Sequence, residues 1–169
     1  MRIDVRESRE FRATIYALRA IDKTIAKMVR RETKRIAAPE WKEALSRRAD
    51  SQIERVVLVD TAVISVSNQN VRAQSAGKGR PRSGGLAPKV DFPAVEFGVN
   101  QNKTINYRRK SRGGGTHTVS RRLGPTLKPR NPRGYVFYPA AREMIPRLAA
   151  LWIQTTVRTI AEALEGKQE

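Results

Sequence analysis

From about Ser8 to Ala38, Phe11, Ile15, Leu18, Ile21, Ile25, Met28, Val29 and Ile36 recur at three- and four-residue spacing. One apolar stripe with charged residues around it predicts an amphipathic helix. Ser8 suits its N-cap, and Arg30, Arg31, Lys34 and Arg35 crowd its last turns, where cations complement the helix dipole. Pro39 predicts a break and the first turn of a short second helix through Trp41, Leu45 and Arg48. The period then changes. Ile53 to Val59 and Ala62 to Val66 are dense in β-branched residues, with Asp60-Thr61 between them, which predicts an antiparallel hairpin. Met1 to Val5 alternates and predicts a short strand.

Val71 to Pro88 is punctuated by Gly77, Gly79, Pro81, Gly84, Gly85 and Pro88 and predicts a loop. Val90 to Val99 is a short ordered island. In the stretch from Asn100 to Arg133, Thr104 to Tyr107 and Thr116 to Val119 can pair as a hairpin across Ser111-Arg112-Gly113-Gly114-Gly115. Tyr135 to Tyr138 predicts an extended segment entering the core. Pro139 opens a final helix to about Leu164, whose apolar face carries Met144, Leu148, Leu151 and Trp152, with a kink allowed at Pro146. Two long helices at the ends and strands between them predict an α+β fold. In it a small antiparallel sheet packs with a long N-terminal and a C-terminal helix. All 169 residues form one domain, with a core from 1–71 and 134–165 and extended basic loops at about 72–89 and 99–133.

Charge sharpens this picture. Residues 72–133 hold fifteen Lys and Arg against two acids, Asp91 and Glu96, and so carry +13 of the chain's net +18. Residues 134–169 balance. A basic, Gly- and Pro-rich middle between patterned ends points to arms that meet a strongly negative partner, nucleic acid first. The candidate contacts are Lys78, Arg80 and Arg82 in the first arm and Arg108, Arg109, Lys110, Arg112, Arg121 and Arg122 in the second. Lys78-Gly79-Arg80-Pro81 contains the Gly-Arg-Pro core of minor-groove hook peptides. The same residues also suit sequence-independent contact with DNA, or an acidic protein surface. No zinc-finger ligands, no helix-turn-helix and few aromatics for stacking are present to read a base sequence.

Catalytic patterns are thin. There is no cysteine, hence no disulfide and no thiolate metal site, and the one histidine, His117, has no evident Ser or Asp partner. Lys78 follows a glycine, but neither the Ser/Thr nor the upstream glycine of a phosphate-binding loop is in place. Asp91, Glu96 and Lys103 resemble a metal-nuclease set only by being isolated in a basic stretch. No metal or cofactor is expected, and no enzyme. No apolar run reaches the roughly 20 residues of a membrane span, and the N-terminus has no apolar signal region. The expected place is therefore the cytosol, or an assembly built there.

Two segments carry a family resemblance. Val95-Glu96-Phe97-Gly98, a basic insertion, and then Pro132-Arg133-Gly134-Tyr135-Val136-Phe137-Tyr138-Pro139-Ala140-Ala141 form a series. It resembles that of the small head–tail connector proteins of long-tailed bacteriophages, also called neck or tail completion proteins. The long N-terminal helix and Ala38-Pro39 with Leu45 fit it too. Glu40 to Ala44 lack the Thr-Gly pair usual there, and the insertion is long. The resemblance implies that Val95, Glu96, Phe97 and Gly98 close the sheet, and that the segment holding Tyr135, Phe137 and Pro139 starts the last helix. It further implies a virion component without catalysis: a homo-oligomeric ring, hexameric in the family, in the neck between head and tail and assembled in the host cytoplasm. Its neighbours would be head-completion and tail-terminator proteins, with viral DNA passing through the lumen. A tail terminator or minor tail protein, and a sequence-nonspecific nucleic-acid-binding protein, are the rival readings.

Overall fold

The computed structural model describes residues 2–4, 23–77, 79, 86–122 and 126–165. The expected first half of the N-terminal helix, including Ser8, Phe11, Ile15, Leu18 and Ile21, lies outside them.

Helix α1 spans Lys23–Ser46 as one element, so Pro39 neither ends it nor starts another. An interior proline removes a backbone hydrogen bond and costs about 3 kcal/mol. What holds the helix through it is burial on both sides. Ala26, Val29 and Thr33 before the proline, and Ala37, Trp41, Ala44 and Leu45 around and after it, lie on one buried stripe, while Pro39 faces solvent. Trp41 is fully buried, meets Phe137 edge-to-face at 5.3 Å, and donates its indole N–H to the Gln74 carbonyl at 3.2 Å. Burying such a side chain is worth about 3 kcal/mol, enough to offset the proline.

The expected strand Ile53–Val59 is helical instead. A short helix α2, Gln52–Glu54, continues as a π-helical turn, Arg55–Val59. Its start is a capping box: Ser51 Oγ accepts from Glu54 N at 3.2 Å, and the Glu54 carboxylate accepts from Ser51 N at 3.0 Å. The π turn closes through Asp60 N donating to Arg55 O at 2.9 Å. It leaves the Val57 and Leu58 carbonyls to the Thr61 and Ser75 hydroxyls.

The strand after it is found, but with another partner. β2, Val63–Val66, pairs antiparallel with β3, Val71–Gln74, across a Ser67–Asn70 turn pinned by the Ser67 hydroxyl. β3 also pairs antiparallel with β1, Arg2–Asp4, giving the order β1-β3-β2. The first basic stretch thus begins as the central strand of the sheet and not as a loop. Val71 and Ala73 face the core.

Helix α3, Pro88–Phe97, occupies the expected ordered island. The Val95-Glu96-Phe97-Gly98 element therefore ends a helix and does not close a sheet. Asp91 folds back to accept from Ala87 N at 2.6 Å, and Pro88 stands in the first turn, where its missing N–H costs nothing. β4, Thr104–Lys110, and β5, Thr116–Arg122, form a separate antiparallel ribbon. The predicted second hairpin is present with each strand three residues longer. α4, Phe137–Glu165, begins at Phe137, so the aromatic run is the start of the helix and not an extended lead-in.

α4 packs chiefly along α1. Phe137 sits on Trp41, and Glu143 accepts from Arg48 at 2.7 Å, so the C-terminal end of α1 lies beside the N-terminal end of α4. The fold is α+β: a small antiparallel sheet packed with two long helices that also pack on each other, and a basic insertion forming a separate ribbon. The core gathers Trp41, Leu45, Leu58, Ile64, Phe137, Met144 and Trp152. No described helix is long and apolar enough to cross a membrane.

Candidate nucleic-acid interface

The ribbon is an excursion whose two ends are tied together. Val99 donates to Lys128 O at 3.0 Å, Asn131 to Phe97 O at 2.7 Å, and Tyr135 to Glu96 O at 3.0 Å, with a parallel bridge between Val99 and Pro129. Gly98 makes the turn possible. Its φ is +68°, and a Cβ there would lie 2.0 Å from the Pro129 carbonyl oxygen, so no side chain fits.

Beneath this tie Glu96 is completely buried. Its carboxylate accepts from three successive backbone N–H groups, Val136 at 3.2 Å, Phe137 at 2.8 Å and Tyr138 at 3.0 Å. These are donors that the first turn of α4 cannot satisfy for itself. An anion there also complements the positive end of the helix dipole. Gly134, at φ +76°, leaves room for it: a Cβ would stand 2.2 Å from Glu96 Oε1. Burial pushes the Glu96 carboxyl above the usual range, against the pull of the three N–H groups. Phe97 stacks obliquely on Tyr138 at 5.3 Å, Val95 is buried and Tyr135 half-buried. Pro139 occupies the first turn of α4. The seven motif residues, though far apart in sequence, are thus brought into one joint between α3 and α4.

Asp91 and Glu96 are both spent on backbone N–H groups, which answers the metal-nuclease pattern. Among the described residues no three His, Asp or Glu side chains gather as metal ligands would.

On the body, several cations are paired close by. Lys128 bridges Asp50 at 2.9 Å and the buried Glu54 at 2.8 Å, and sits 4.9 Å from the Tyr135 ring centre. Burial works to lower its pKa, but the two carboxylates outweigh it and raise it. Lys128 in turn holds the Asp50 carboxyl below its ordinary value. Arg48 pairs with Glu143, and Arg35 with Glu32, which it holds low. The Lys128 clamp was not foreseen. Its only trace in sequence is the Ser51-x-x-Glu54 box that fixes one of its carboxylates.

The ribbon is the opposite. No Asp or Glu occurs between Phe97 and Arg142. Arg108, Arg109 and Lys110 in β4, Arg112 in the turn, and Arg121 and Arg122 closing β5 are all exposed, and no described carboxylate lies within ion-pair distance of them. Lys78, Arg80 and Arg82, and with them most of the hook sequence, lie outside the described residues. The five-residue turn is closed by Ser111 N donating to Gly115 O at 2.7 Å.

Register sorts the ribbon into two faces, because side chains alternate along each strand. Arg108 and Lys110 stand opposite Thr118 and Thr116, and Asn106 opposite Ser120, whose hydroxyl bonds to it at 2.6 Å. This face is polar throughout. The other bears Ile105, Tyr107 and Val119 between Arg109 and Arg121. At the root, Ile105 walls a cleft of about 340 Å³ with Ile53, Leu86 and Val95. What the arrangement can do is electrostatic: a dense row of cations, unpaired with any described carboxylate, is held out from a body in which acids and bases are interspersed.

No protein-family model matches the chain, and comparisons with curated proteins and with solved structures find no match either.

Proposed function

We propose that the chain is a structural connector subunit of a long-tailed bacteriophage. Copies form a ring, hexameric by the family resemblance, in the neck between head and tail. Viral DNA passes through it, and head-completion and tail-terminator proteins lie on either side. The observation that carries this reading is the carboxylate-free ribbon, with six exposed cations, projecting from a body in which both signs of charge are mixed. A channel for DNA needs positive charge to hold a polyanion, but contacts that release it easily. Cations on an exposed ribbon provide sequence-independent, salt-sensitive attraction of that kind. The joint supports the reading as well, since the two segments that carry the resemblance meet through Glu96. The role assigns the chain no catalysis and no cofactor.

The test is assembly. Native mass spectrometry and negative-stain imaging of the purified chain, with and without duplex DNA, are expected to show closed rings with an opening wide enough for a double helix. A monomer under every condition overturns the connector. The ribbon alone would equally serve a monomeric, sequence-nonspecific nucleic-acid-binding protein, and duplex binding without any assembly would select that reading. Rings that join tails but not heads would select a tail terminator.

A further inference from the structure

If the ribbon meets nucleic acid, its two faces are not equivalent in that contact. We propose that the polar face, through Arg108 and Lys110 with the hydroxyls of Thr116 and Thr118, lies on the phosphates of double-helical DNA, and that the opposite face turns away. The inference rests on the nucleic-acid reading above and specifies its surface.

Three features select this face. Every group on it can donate a hydrogen bond to a phosphate oxygen, and most contacts to duplex DNA are of that kind. Secondly, the other face sets Ile105, Tyr107 and Val119 between its cations. Ile105 and Val119 are already half-buried, and pressing the stripe onto hydrated phosphates would separate its arginines from them. Thirdly, the dimensions agree. Seven residues per strand extend about 24 Å, at about 3.4 Å each. That covers about seven base steps of one strand, and Arg108 and Lys110 stand about two axial phosphate spacings apart. A two-stranded ribbon is also narrow enough to follow a groove edge.

The experiment compares two variants of the full chain with equal charge removed. Arg108→Gln/Lys110→Gln removes two of the three polar-face cations, leaving Arg122 opposite Thr104, and Arg109→Gln/Arg121→Gln removes both arginines of the other. Binding to a short fluorescent duplex of mixed sequence is followed by anisotropy between about 50 and 200 mM KCl. Circular dichroism confirms that both variants fold. The polar-face variant is expected to bind roughly tenfold more weakly, with a log–log salt slope shallower by about 1.8. The other variant should keep the wild-type slope. Equal losses would show that the ribbon acts by charge without a preferred face, and a larger loss from Arg109 and Arg121 would reverse the assignment. Either result overturns the inference while leaving the nucleic-acid reading standing. Tighter binding to single strands, lost on Tyr107→Ala, would assign contact to the stacking face and has the same effect. Failure of the wild-type chain to bind duplex at all would remove both.

Discussion

Glu96 ties the end of α3 to the first turn of α4 through its buried carboxylate. A fully buried carboxylate is normally a cost, and here it is offset by three N–H groups that nothing else would satisfy. Glu96→Ala leaves those donors buried without an acceptor and should destabilise the chain by about 3–5 kcal/mol in urea unfolding. Glu96→Gln keeps one acceptor oxygen and should lose less. The same pair of proteins yields a pH test. Because burial raises the folded-state pKa of Glu96, the folded chain binds a proton more readily than the unfolded one. Wild-type stability measured relative to Glu96→Gln should therefore fall as pH rises from the ordinary glutamate value through the raised one, and be flat on either side. A rise below the ordinary glutamate value instead, with no change above it, would show that the three N–H groups, and not burial, dominate.

Among elements, the ribbon is the one the body can do without. Its strands pack mainly on each other, and its ends are fastened at Val99 and Lys128. Replacing residues 102–125 with a short Gly-Ser link should shift body stability by less than about 1 kcal/mol in thermal melts, while duplex binding collapses. A melt that loses cooperativity would mean the ribbon is part of the core. This element was also among the most legible in sequence, because alternating Thr, Tyr and Val around a Gly triplet admits few other structures. The two end helices were legible for a similar reason, their long apolar stripes. Three elements were not. The run of Ile53, Val56, Val57 and Val59 has strand composition, but the Ser51–Glu54 box starts a helix, and side-chain hydroxyls support its wide turn. Pro39 has the local chemistry of a break, yet Trp41 in the core overrides it. Val71–Gln74 lies in a basic, glycine-rich neighbourhood that hides a central strand. In the site, the exposed cations were visible because charge needs no fold to be counted. Glu96 was visible only as an isolated acid, since its purpose depends on donors some 40 residues away.

At the scale of the whole molecule, charge of the two signs is distributed unevenly: the ribbon of residues 104–122 holds six cations and no acid, while the rest of the chain mixes both signs and pairs several of its cations. The chain should accordingly co-purify with host nucleic acid at low salt. Its ratio of absorbance at 260 to 280 nm should drop to that of protein after a wash near 1 M salt, where the screening length is about 3 Å. A protein-like ratio before the wash would count against exposed, unneutralised charge. The tie at the foot of the ribbon has a mechanical corollary. Any cargo dragging on the ribbon would pull against the short rungs at Phe97, Val99 and Glu96 before it strained the packing around Trp41 and Trp152. Tension would then be stopped at the α3–α4 joint, and a sliding filament could tug on the subunit repeatedly without prising it open.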